Sequence, residues 1–140
     1  LGPRLYAGGY QSRLIAVDLA TLRLERSKEA SSIVGLGEGF GNIYVSHSDG
    51  IIGAYDAVTG KIVWEVDALT NRSISVPVSS SSFLLVGDLQ GYLHVIAQSD
   101  GRFVGRRKID NSGLSVGPIS DGGRSYLLAN NGTLSAYEIY

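Results

Sequence analysis

Short apolar runs alternate with polar, glycine-bearing turns along the whole chain, and no window keeps its apolar residues at helical spacing. Four stretches read alike: LYAGGYQSRLIAVD at 5–18, IYVSHSDGIIGAYD at 43–56, LLVGDLQGYLHVIA at 84–97 and SYLLANNGTLSAYE at 125–138. Gly50, Gly91 and Gly132 fall 41 residues apart, and Asp18 and Asp56 are separated by 38. A fixed period near forty residues marks a repeat architecture. In each unit an apolar run enters a polar turn, and a second run leaves it. Asp49-Gly50 and Asn131-Gly132 predict tight primed hairpins, because Asn, Asp and Gly tolerate positive φ. A further turn at Thr59-Gly60 and Asp100-Gly101 sends a third strand outward, over 61–66 and 102–109. Another short run, at 75–78 and 115–119, precedes the hairpin. Four short antiparallel strands per repeat predict an all-β protein, a β-propeller of four-stranded blades.

The units divide the chain into an incomplete blade over 1–30, blades over 31–71 and 72–111, and a last blade over 112–140 lacking its outer strand. The expected strand counts are three, four, four and three. A ring needs about four to eight blades, so the missing blades are expected from the rest of a parent chain or from a second copy. The short last unit suggests closure by a strand from the parent's N-terminus. The chain contains no methionine and starts at Leu1, which reads as a processed product or a piece of something longer.

One stretch concentrates polar groups, AYDAVTGKIVW over 54–64. On a strand, Ala54 and Asp56 point to the opposite side from Tyr55. Asp56 can accept turn N–H groups, Thr59 can add a local bond, and Gly60 accommodates positive φ. Trp64, the only tryptophan, then lies on the outermost strand, where its ring can cover the next blade and its N–H still find a partner. These residues form a candidate structural clasp. Their spacing resembles the tryptophan-docking repeat of the pyrroloquinoline-quinone (PQQ) type propellers, matched by Ala54, Asp56, Thr59, Gly60 and Trp64. Elsewhere the match is partial. Ala16, Asp18 and Thr21 fit, but Leu22 and Arg26 replace the glycine and tryptophan; Gly101 fits, but Ala97 and Gly105 replace the aspartate and tryptophan.

Composition narrows the chemistry. Twelve basic and thirteen acidic residues give a net charge of −1, which argues against a nucleic-acid partner. No apolar run approaches the ~20 residues of a membrane-spanning helix. There is no cysteine, hence no thiolate nucleophile and no sulfur-based zinc site. The resemblance to quinoprotein dehydrogenases implies a vicinal disulfide, a calcium ion, a catalytic aspartate and a tryptophan stacked on quinone; this chain has no cysteine, and its one tryptophan sits at a docking position. Asp49, Asp88, Asn130 and Asn131 fall in equivalent turns, and turn chemistry is the simpler reading than a calcium cage. His47 and His94 occupy non-matching repeat positions with no obvious carboxylate partner, so both read as structural. The serines at 79–82 lack the strand-to-helix context of a nucleophile elbow and read as a loop. Arg102, Arg106, Arg107 and Lys108 read as edge protection on an outer strand before they read as an acidic-partner site. No catalytic, cofactor-binding or metal-binding residue is expected.

The second half carries a closer likeness. VGDLQGYLH at 86–94, DGRFV at 100–104, KIDNSG at 108–113 and Pro118 resemble the last two blades of the BamB family, the lipoprotein subunit of the outer-membrane β-barrel assembly machinery. The first two units fit the preceding blades in order and spacing. The resemblance implies an eight-bladed periplasmic propeller, tethered to the outer membrane through a lipidated N-terminal cysteine that this sequence does not contain. It implies a non-catalytic scaffold that binds a POTRA domain of the central barrel subunit and aids delivery of unfolded outer-membrane proteins, with strand edges and loop rims able to hold extended peptides. Family members make that contact largely through earlier blades. By position, the rim loops here are 8–13, 47–50, 88–91 and 130–132, each readable as a plain hairpin turn. Two alternatives stay open: a sensor or ligand-binding propeller of the same repeat type, or a fragment of a quinoprotein dehydrogenase.

Overall fold

A computed structural model describes the backbone over residues 4–9, 13–18, 23–29, 33–121 and 124–138, and side chains over the last two ranges. Every element among them is a strand, and every pairing is antiparallel. The first sheet holds β1 (Arg4–Gly9), β2 (Arg13–Asp18) and β3 (Arg23–Glu29). The second holds β4 (Ile33–Gly39), β5 (Asn42–His47), β6 (Ile52–Asp56) and β7 (Ile62–Val66). The third holds β8 (Val78–Ser80), β9 (Phe83–Gly87), β10 (Tyr92–Ala97) and β11 (Phe103–Lys108). The fourth holds β12 (Ile119–Asp121), β13 (Arg124–Leu128) and β14 (Leu134–Glu138).

Within each sheet the strands meander in chain order. Strand β1 lies beside β4, β4 beside β8, and β8 beside β12, so the sheets fan out from a shared inner row. This is the β-propeller architecture. Two expected inner strands are displaced. The runs at 75–78 and 115–119 mostly form the approach to the strand. At the first run an isolated bridge pairs Ile74 with Asp88 and Ser75 N–H bonds Gly87 O, but the continuous ladders begin only at Val78 and Ile119. Pro77 and Pro118 account for the shift, since proline offers no N–H to a ladder.

Alternation along the strands buries both faces, because a blade is covered on each side. Tyr44, Ile52, Ala54 and Trp64 of the second sheet meet Leu84, Val86 and Ile96 of the third. The opposite face of the third sheet sends Leu85 and Leu93 against Leu127 and Ala129 of the fourth. On the other face of the second sheet, Ile43, Val45 and Tyr55 form a third cluster.

The hairpins at Gly50, Gly91 and Gly132 share one geometry, and it is not the two-residue primed turn. In each, the glycine N–H bonds the carbonyl three residues back, His47, Asp88 or Ala129. Positive φ falls on the glycine alone, at 93°, 90° and 92°. This is a type I turn closed by a glycine bulge, the three-residue alternative. These hairpins are also sewn to the connections between sheets. Leu89 N–H bonds Arg72 O, Leu114 N–H bonds Asp88 O, and Asn130 N–H bonds Gly113 O.

Candidate functional site

The site grows from the turn between β6 and β7. Asp56 Oδ1 accepts the N–H groups of Val58 and Thr59 at 2.8 and 2.9 Å. Thr59 Oγ1 accepts from Lys61 N–H at 3.3 Å. Gly60, at φ 74°, donates its N–H to Asp56 O. The four-residue turn is followed by a bulge, so Tyr55 faces Ile62 and Ala54 faces Trp64. The extra residue turns the indole onto the same face as Ala54, whose small side chain leaves the ring room to lie flat. The same register shift recurs in the other sheets, pairing Ala16 with Arg26 and Val95 with Gly105. The local backbone is therefore repeated, while the tryptophan is not.

Trp64 is 8% exposed and spans the seam to the third sheet. Its Nε1–H donates to Gln98 O at 2.8 Å. Its ring lies on Gly101, where an added Cβ would stand 2.7 Å from the indole Cε3. Tyr44 tilts against it with ring centroids 5.8 Å apart. The Tyr44 hydroxyl donates to Gln98 Oε1 at 2.9 Å, and burial, only partly offset by a hydrogen bond with Asn42, raises its pKa so that it stays a donor. Gln98 spends its own Nε2 donors on Ser81 O and Phe83 O, both at 2.9 Å. One buried glutamine thus joins the second sheet to the β8–β9 turn. Gln98 was not singled out in the sequence, because it stands just outside the repeated stretch and a lone glutamine has no periodic signature.

Gly101 has positive φ, 76°, so a side chain there meets both backbone strain and the indole. Gly101→Ala should lower stability by about 2 kcal/mol. The part owed to the ring should disappear in a Trp64→Ala background, while the strain of the positive φ remains, measured as the coupling in a double-mutant cycle. Additive effects would show that the ring does not bear on this glycine.

A second cluster lies further out along the same seam. His94, expected to lack a carboxylate, places Nε2 2.7 Å from Asp88 Oδ2. Arg72 Nη1 reaches the same oxygen at 2.8 Å. Asp88 Oδ1 accepts Tyr92 N–H at 3.1 Å, and the residue is fully buried. Burial pushes the carboxyl up, but the bonds from His94, Tyr92 N–H and Arg72 outweigh it and hold the group below its usual range. Burial disfavours the His94 imidazolium more than Asp88 favours it, and Arg72 and Arg106 repel it as well, so its pKa is lowered. The partner escaped sequence reading because Asp88 and His94 occupy different repeat positions, six residues apart across a hairpin.

The remaining candidates make turn and edge contacts. Asp49 Oδ1 accepts Ile51 N–H, and Asn131 Oδ1 accepts Thr133 N–H. Asn130 bridges Ser115 and Ser112 O. Among the described residues no three His, Cys, Asp or Glu side chains come together as a metal site. Ser79 and Ser80 belong to β8, and Ser79 Oγ donates to Glu38 O; the turn proper is Ser81, at φ 52°, and Ser82. Arg106, Arg107 and Lys108 lie on β11, with Arg106 and Lys108 over the Tyr92 ring and Arg107 over Tyr137.

The family model described as outer membrane protein assembly factor BamB matches residues 48–140. The chain is 46% identical over 138 residues to the outer membrane protein assembly factor BamB of Pseudomonas aeruginosa, covering 99% of this chain and 36% of that relative. It is 34% identical over 133 residues to the protein of the same name from Marinobacter adhaerens, covering 94% of this chain and 34% of that one. It superposes on the crystal structure of BamB from Moraxella catarrhalis with a TM-score of 0.90 at 25% identity, over 99% of this chain and 41% of that one. The chain thus spans about a third of the length of the curated relatives it matches. Repeat period, blade architecture and a family match over residues 48–140 agree: the chain belongs to the BamB family of outer membrane protein assembly factors.

Proposed function

We propose that this chain is part of a non-catalytic scaffold of outer-membrane protein assembly, held on the periplasmic face of the outer membrane by a lipidated parent N-terminus. It contributes blades to a propeller that binds a POTRA domain of the central barrel subunit and aids delivery of unfolded outer-membrane proteins. The observation carrying this reading is the 46% identity over 99% of the chain with a protein named as an assembly factor. In the same reading Ala54, Asp56, Thr59, Gly60 and Trp64 are a docking motif that seats one blade on the next, with no part in a reaction.

The test is retention of the full-length protein on immobilised POTRA domains of the barrel subunit. Specific, saturable retention is expected. No retention, together with uptake of quinone or calcium, would move the chain to the quinone-linked members of the repeat superfamily.

A further inference from the structure

We propose that the outer end of the seam between the second and third sheets is a binding site for a monocarboxylate with an apolar body. A cleft of about 310 Å³ opens there, lined by Leu69 and Arg72 from the connection after β7 and by His94, Phe103, Val104 and Arg106 from β10 and β11. That volume is at the small end for a small-molecule site. One wall is apolar, made by the buried Leu69, the half-buried Phe103 and the exposed Val104. The other wall is cationic.

The cationic wall is held in place and left with spare donors. Arg72 commits Nη1 to Asp88, and its fork has further N–H groups free to point outward. Arg106 lies over the Tyr92 ring at 4.7 Å and makes no side-chain hydrogen bond among the described residues. Stacking fixes the plane of a guanidinium without using its donors. Lys108 sits over the same ring at 4.6 Å and donates to Gln90 O. The one carboxylate of the cluster, Asp88, is fully buried behind His94 and Arg72, with its oxygens taken up by them and by Tyr92 N–H. Two lining guanidiniums, Arg72 and Arg106, therefore stand against one internal anion, with Lys108 beyond them on the Tyr92 ring. A planar carboxylate matches two guanidinium forks, and an attached apolar group would cover Leu69 and Phe103. Gly105 adds no bulk at this edge, since a Cβ there would meet nothing within 4 Å.

The test is ligand-observed NMR on the full-length protein with 3-phenylpropionate, its uncharged amide, and the tripeptide Ala-Ala-Phe with a free or amidated C-terminus. Saturable binding of the free acid and none of its amide is expected, with binding weakened about tenfold or more in Arg106→Gln. The unfolding midpoint of that variant should be unchanged, because Arg106 is exposed. Binding of the free-ended tripeptide in preference to its amide would identify the source as a polypeptide terminus; binding of phenylpropionate alone would identify a free acid, and either supports the site. Equal responses to acid and amide, or an undiminished response in Arg106→Gln, would overturn it.

Discussion

Replacing Trp64 by alanine should destabilise the protein by about 3 kcal/mol or more, the scale of truncating a buried aromatic. The loss has three sources. The indole leaves a hole between Tyr44 and the third sheet, where it is only 8% exposed. Gln98 O loses the N–H it receives at 2.8 Å. Gly101, which is shaped to the ring, faces a void. Trp64→Phe separates these contributions. It keeps most of the apolar area and forfeits the hydrogen bond, so it should cost about 1–2 kcal/mol plus incomplete filling. Denaturant unfolding of the full-length protein followed by circular dichroism reads both variants. An alanine variant with an unmoved midpoint would remove Trp64 from any role in holding the seam.

Asp88→Ala should cost a similar amount, about 3–5 kcal/mol, because removing one partner of a buried ion pair strands the other. Here it strands the guanidinium of Arg72 and the Nε2–H of His94 and leaves Tyr92 N–H without its side-chain acceptor. The acid limb of stability follows from the same cluster. The folded His94 titrates below its usual 6.5, so the unfolded chain binds more protons just below that pH. Stability from the neutral imidazole is complete above pH 6.5 and falls as pH drops through the folded value. The folded Asp88 titrates below its usual 3.8, so its contribution persists above that pH and is lost as pH falls further. The unfolding midpoint should therefore decline in two acid stages, and His94→Gln should remove the upper one and alter the lower, since His94 helps hold Asp88 low. A midpoint flat down to pH 3.8 in the unmodified protein would show that His94 is not held neutral.

The repeat was legible because each blade reuses one backbone. Gly50, Gly91 and Gly132 take φ values within a few degrees of one another, and such positions accept little except glycine, so their spacing survives in the sequence. Asp56, Thr59, Gly60 and Trp64 were legible for a related reason: a turn and its bulge fix local partners at fixed offsets. The inner strands were less so. Only three residues of β8 and three of β12 join a ladder, and apolar residues before the prolines look the same whether paired or not. The polar network was the least legible. Gln98 meets Tyr44 and Trp64 across a seam, and Arg72 meets Asp88 within one blade; pairings between non-equivalent positions leave no period to read. The proposed anion cleft has a similar origin, since Arg72 and Arg106 lie far apart in the chain and are brought together when the connection into the third sheet packs on its outer strands.

The hairpins carrying Gly50, Gly91 and Gly132 are tied to the neighbouring connections: Asn71 N–H donates to Asp49 O, Leu89 N–H to Arg72 O, Leu114 N–H to Asp88 O and Asn130 N–H to Gly113 O. That side of the ring is consequently a rigid platform before anything lands on it. A macromolecule settling there forfeits little chain freedom in the host, so its affinity reflects contact quality with little deduction for ordering. Its association rate is then governed by collision and orientation, because no slow rearrangement stands between encounter and grip.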